Sequence, residues 1–193
     1  MNVLRTIEVQ DAGSFCVGDV IGFELTDGEK VEAMAVKKED DGMIFCLVDC
    51  LQKEYRMNSR NTNKGGYEAT ELRAKLNGEI LARFPSEIAE KMIPFKNGDL
   101  LRLPTEKEIF GQNSYGLDEP EEVTQWKPME LRRNRIAFQG SNGAWEWYWL
   151  QNPWLRDVAS STTFALVVSD GYAYAYYASN ALGVRPAFKI RDL

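Results

Sequence analysis

No histidine occurs in the 193 residues. That absence removes the Ser-His-Asp triad, the Cys-His pair, histidine-ligated zinc and a histidine pH switch. Acid–base catalysis is left to carboxylates, lysines and thiols, without the usual proton carrier near neutral pH. Cysteine is scarce: Cys16, Cys46 and Cys50 are an odd number with no CxxC pair. If MIFCLVDCL is a strand, Cys46 and Cys50 lie about 13 Å apart along it, too far to bridge each other. The three are read as reduced, packed thiols of a reducing compartment. The opening MNVLRTIEVQDAG lacks an apolar signal-peptide core, and no apolar run reaches membrane-spanning length. The expectation is a protein without a signal peptide and without membrane insertion. Basic charge is also in deficit. Lys and Arg number 23 against 29 Asp and Glu, a net −6 that argues against the basic face of a duplex nucleic-acid binder.

What is present suffices for one core, with 44% hydrophobic residues. Residues 1–58 read as a strand meander. Val20 to Leu25, Lys30 to Val36 and Met43 to Cys50 are apolar and β-branched, and Asp27-Gly28 and Asp41-Gly42 supply turns. Residues 65–111 read as the helical part. Thr70 caps a helix carrying Leu72, Leu76, Ile80 and Leu81, and Pro85-Ser86 starts a short second one carrying Ile88, Met92 and Ile93. Thr105 and Glu108 form a capping box for a further helical turn that stops at Gly111. After an acidic, irregular stretch, Arg135 to Phe138 and Trp145 to Leu150 read as hairpin strands around Asn142-Gly143. Strands, then helices, then strands predict a single α+β domain rather than a doubly wound one.

Residues 141–193 differ from the rest. They hold 11 of the 22 aromatics, and their four basic and four acidic residues cancel. Within them, Gly171 to Gly183 is built almost wholly from Tyr, Ala, Gly, Ser and Asn, with no charge. If Tyr172 to Tyr176 form one strand, the three alternate tyrosines share a face. Such a composition resembles antibody paratopes, where tyrosine offers rigid amphipathic contact area and small polar residues adapt. It equally describes a half-buried edge strand whose phenols cover the core, and composition leaves both readings open.

The series Tyr67 to Arg73 with Leu76-Asn77, Leu103 to Gly111, Trp147 to Leu150 and, most specifically, the GVRPAF run Gly183 to Phe188 resembles a family of bacterial and phage proteins. Its members are abundant in gut bacteria and their prophages, and many are variable proteins of diversity-generating retroelements. The resemblance covers roughly residues 65 to 190. It implies a C-type-lectin-like fold of the formylglycine-generating-enzyme type, with antiparallel strands and two main helices. It further implies that a reverse transcriptase rewrites the 3′ end of the gene at adenines, so that residues 141–193 form a variable, ligand-binding region. The implied contact positions are Tyr172, Tyr174, Tyr176, Tyr177 and Leu182, then Leu166, Val168, Ser169 and Asp170, and finally Trp154 and Asp157. The implied partner is a protein or cell-surface ligand, the location the cytoplasm or a phage particle, and no catalytic residue, metal or cofactor is called for.

Two departures bear on this. The calcium motifs of sugar-binding C-type lectins are missing, and all three cysteines precede residue 51, so the carboxyl-terminal thiol pair of the related oxidising enzymes is missing too. Elsewhere the plain readings prevail. Arg185 is read as structural, Arg132, Arg133 and Arg135 as a solvated face, and Asp118, Glu119, Glu121 and Glu122 as a charged loop. Trp145, Trp147 and Trp149 alternate, so one strand face carries them, mainly as core and with one as the floor of a binding surface.

Overall fold

The computed structural model of the chain describes residues 15–140, 142–155 and 160–191. In chain order its strands are β1 (Val20–Glu24), β2 (Lys30–Glu39), β3 (Gly42–Leu47), β4 (Tyr55–Arg56), β5 (Met92–Ile93), β6 (Leu101–Arg102) and β7 (Ala137–Phe138). They continue with β8 (Trp145–Glu146), β9 (Tyr148–Pro153), β10 (Thr163–Val167), β11 (Ala173–Tyr177), β12 (Ala181–Leu182) and β13 (Ala187–Arg191). Three short helices, α1 (Glu71–Lys75), α2 (Ser86–Ala89) and α3 (Glu106–Phe110), complete a mixed α+β architecture whose strand ladders are antiparallel. Among the described residues no helix is long and apolar enough to cross a membrane.

The larger sheet runs β1-β2-β3-β13, with β5 and β6 end to end along the far side of β13. The GVRPAF segment therefore enters the middle of this curled sheet. Flanked on both edges, β3 buries all six of its residues. Gly42 permits a close approach of β3 to β13, since a Cβ there would stand 2.2 Å from the Ile190 carbonyl oxygen. Phe45 and Phe188 stack across the β3–β13 ladder at 5.7 Å, and Phe23 and Phe84 pack edgewise on Phe188. This aromatic group anchors the first of two core clusters. The opposite sheet face carries Ile44, Cys46 and Ala187 into the second, with Trp126 and Tyr148.

Thr70 caps α1 as its sequence predicts, its hydroxyl accepting the Arg73 N–H at 3.1 Å. The helical path then continues through a π turn and a 3-10 turn to Arg83. This keeps Leu72, Leu76 and Ile80 on the core. The capping box of α3 forms between Thr105 and Glu108. Met92 and Ile93 depart from expectation. They are not helical but form β5, because pairing with Lys189 and Ile190 of β13 places both apolar side chains inside.

A smaller sheet, ordered β11-β10-β9, carries the candidate site. Its middle strand, β10, is wholly buried: Phe164 and Leu166 enter the first cluster, Ala165 and Val167 the second. Trp149 of β9 lies in the first cluster and donates its indole N–H to the Tyr55 carbonyl at 2.9 Å.

Candidate ligand-binding surface

β11 is an edge strand, bonded to β10 in the register Thr163↔Tyr177 through Val167↔Ala173. A tight turn delivers it: Gly171 N–H bonds the Val168 carbonyl, and the Asp170 carboxylate accepts the Tyr172 N–H at 3.3 Å. Within the strand Ala175 is buried, as is Ala178 just beyond its end. The phenols project instead, with Tyr172 54%, Tyr174 49% and Tyr177 51% exposed.

Two of the three tyrosines expected on one face share it. Tyr174 and Tyr176 both meet the half-buried Trp147 ring, at centroid distances of 6.3 and 6.1 Å. Tyr177, one residue on, faces the other way by strand alternation while its ring lies 5.8 Å from that of Tyr176. Tyr172 precedes the strand. Its ring stands 5.3 Å from the Arg132 guanidinium, which donates to its hydroxyl at 3.3 Å.

The remaining candidate positions divide. Leu166 is a correction: fully buried opposite Tyr174 in the ladder, it belongs to the core and cannot meet a ligand. Its strand, β10, reads in sequence like a variable stretch but folds as the centre of the sheet. Val168 and Leu182 are half-buried and pack on the first cluster, while Ser169 is half-buried and Asp170 exposed at the turn. Trp154 sits at the opposite end of β10, donating its backbone N–H to the Thr163 carbonyl and meeting Tyr115 edge-on at 5.5 Å. Asp157 lies outside the described residues.

The floor of the surface is tightly built. Gly183 bonds Trp147 through its N–H at 2.8 Å, and a Cβ on it would stand 2.6 Å from both Cys50 Sγ and Glu146 Cγ. The Trp147 indole nitrogen is shielded from solvent and has no hydrogen-bond partner. Glu146 accepts the Trp147 N–H at 2.7 Å. Burial pushes the Glu146 carboxyl above its usual range, that N–H pulls it down, and the neighbouring Glu54 carboxylate raises it further. The surface thus offers aromatic faces and phenol hydroxyls. Among the described residues no group of three His, Cys, Asp or Glu side chains could hold a metal ion.

A sequence model for a domain of unknown function, DUF6273, matches residues 41–192, from the β2–β3 turn through β13. The chain belongs to this family. No curated protein and no solved structure matches it.

Sequence reasoning left several contributors to this DUF6273 surface unassigned. By sequence Arg132 belongs to a solvated basic face, and only the fold brings it to Tyr172. The alternating tryptophans did carry a signal, and their exposure is graded: Trp149 is fully buried, Trp147 half-buried and Trp145 58% exposed beside Phe138, its partner across β7–β8. The gradient arises because only Trp149 stands over the sheet interior. Arg185 is structural, as the plain reading has it. Buried, it donates to the Leu47 and Asn134 carbonyls and to the Tyr148 hydroxyl.

Proposed function

We propose that this DUF6273 domain is a non-enzymatic recognition module of C-type-lectin-like fold, diversified by a retroelement. It binds a protein or other surface ligand through Tyr172, Tyr174, Tyr176 and Tyr177. One observation carries the reading: three phenols stand half exposed on β11 and the turn before it, around the buried Ala175, over a core that does not include their rings. Side chains so placed can be exchanged without unfolding what lies beneath, and tyrosine is the residue most effective as an exposed, low-entropy contact. Ser169 and Asp170 extend the surface at the turn. Action in the cytoplasm or within a phage particle belongs to the same reading.

Sequencing the DNA downstream of the gene tests it. A near-copy of the 3′ end with adenine-bearing codons at the tyrosine positions, beside a reverse-transcriptase gene, is the expected result. Finding neither overturns diversification. A second reading, a fixed interaction domain of the same fold, draws on Tyr176 and Leu182, which pack against the first cluster. It predicts that sibling copies keep the same residues at 172 to 177, and that replacing the four tyrosines with alanine unfolds the domain.

A further inference from the structure

The strand that carries the tyrosines has an unused side. Residue pairs in an antiparallel ladder alternate between bonded and non-bonded. Bonds from Ala178 N–H to the Thr162 carbonyl and from Val168 N–H to the Tyr172 carbonyl fix the phase. The residues bonded to β10 are therefore Tyr174 and Tyr176, and the N–H and C=O of Ala173 and Ala175 point away from the sheet. No hydrogen bond reaches those four groups among the described residues. Unpaired edge groups of this kind are a ready template for a further strand.

Free edges are ordinarily guarded by charge, proline or a bulge. The edge strand of the larger sheet follows this rule: by the same phase argument β1 turns Val20, Gly22 and the charged Glu24 outward. β11 has no such guard. The run from Gly171 to Gly183 carries no charge and no proline, although the whole chain has a net charge of −6.

We propose that two copies of this chain associate through β11, antiparallel, about a two-fold axis at Tyr174. In that register Ala173 of each copy lies opposite Ala175 of the other, and their four outward groups per copy satisfy one another in four hydrogen bonds. The same surface serves both copies, as a two-fold interface requires. On the shared face Tyr174 meets its own counterpart and Tyr176 meets Tyr172, an aromatic cross-strand ladder with no like charges opposed. Association joins two clusters of Trp147, Tyr174 and Tyr176 into one continuous face, and it holds whether or not that face takes the ligand proposed above. The interface is small. Half-exposed phenols leave on the order of 100 Å² each, short of what a tight complex buries, so the dimer is weak and reversible.

Sedimentation equilibrium of the full chain without ligand tests this. The expected mass is that of a monomer at about 5 μM and approaches that of a dimer at about 500 μM, as a small interface requires. Ala173→Pro removes one outward N–H without touching the ladder to β10, and Tyr174→Lys sets two cations against each other at the axis. Each is expected to weaken association at least about tenfold, the scale of one lost backbone pair or opposed charges. Val20→Lys, on the other free edge, leaves it unchanged. Should Ala173→Pro lose its native circular dichroism, Tyr174→Lys decides. A monomer throughout the range overturns the proposal, as does a dimer that survives Tyr174→Lys or is lost in Val20→Lys. Since no ligand is present, failure here is distinct from failure of the recognition reading.

Discussion

Leu166 and Tyr174 are directly opposed across the β10–β11 ladder, yet one is fully enclosed and the other 49% exposed. Replacing each by alanine separates platform from display. Leu166→Ala removes three carbons from a closed site, about 2.4 kcal/mol of transfer free energy at about 0.8 per methylene, before the cavity adds its own cost. A total of about 3 kcal/mol follows for a site held on both sides by sheet neighbours. Tyr174→Ala removes a ring from an edge that solvent can refill, and aromatic cross-strand pairs contribute about 0.2–1 kcal/mol relative to alanine. For a chain of this size 1 kcal/mol moves the midpoint by about 2–4 °C. Leu166→Ala is therefore expected to lower Tm by about 6–12 °C and Tyr174→Ala by less than about 4 °C. Thermal melts followed by far-ultraviolet circular dichroism read both, with urea titrations checking that the m-value is unchanged. Equal losses would refute the reasoning, because the phenol would then be part of the core.

Arg185→Met leaves the buried Leu47 carbonyl and the part-buried Asn134 carbonyl without this donor and is expected to cost about 3 kcal/mol, read from the urea midpoint. Glu106 is fully buried and accepts the backbone N–H groups of Ser114, Tyr115 and Gly116. Glu106→Ala should destabilise by about 3 kcal/mol and speed hydrogen exchange at residues 114–116. Burial pushes the Cys46 thiol up to about 11 and the Cys50 thiol well above its ordinary value, while Cys16 is exposed. A thiol reagent at about pH 8 should therefore titrate Cys16 quickly and the other two only on unfolding. The raised Glu146 carboxyl binds its proton more tightly folded than unfolded. Its stabilising contribution is present below the ordinary carboxylate range and lost as pH rises through the raised value. Glu146→Gln should raise Tm relative to the parent at about pH 7, with the gain vanishing near about pH 4.

Local signals in the chain were legible wherever short-range chemistry decides the outcome. Thr70, the Thr105–Glu108 box and the Asp-Gly turns lie where their residue types demand. Met92-Ile93 and β10 were not legible, because short apolar runs do not reveal their own state: the first is set by β13, almost a hundred residues on, the second by lying between its chain neighbours β9 and β11. At the site, alternation with alanine placed Tyr174 and Tyr176 on one face, while which phenols stand exposed was left open by composition and is decided by the fold. Leu166 could not be read from sequence, since a leucine beside Val167 and Val168 looks the same in an exposed variable run and in a central strand. Arg132 reaches Tyr172 only through the fold, and a 40-residue separation leaves no periodic trace.

The placement of β13 between β3 and the β5–β6 pair makes the sheet dependent on a segment encoded after the tyrosines. A frameshift or stop codon introduced anywhere between codons 172 and 187 would leave Phe45 without its stacking partner and both neighbouring edges bare. Chains cut short in this way would thus fail to assemble and would be open to proteolysis. The last strand of the chain is thus a keystone, without which the residues that precede it have no platform to stand on.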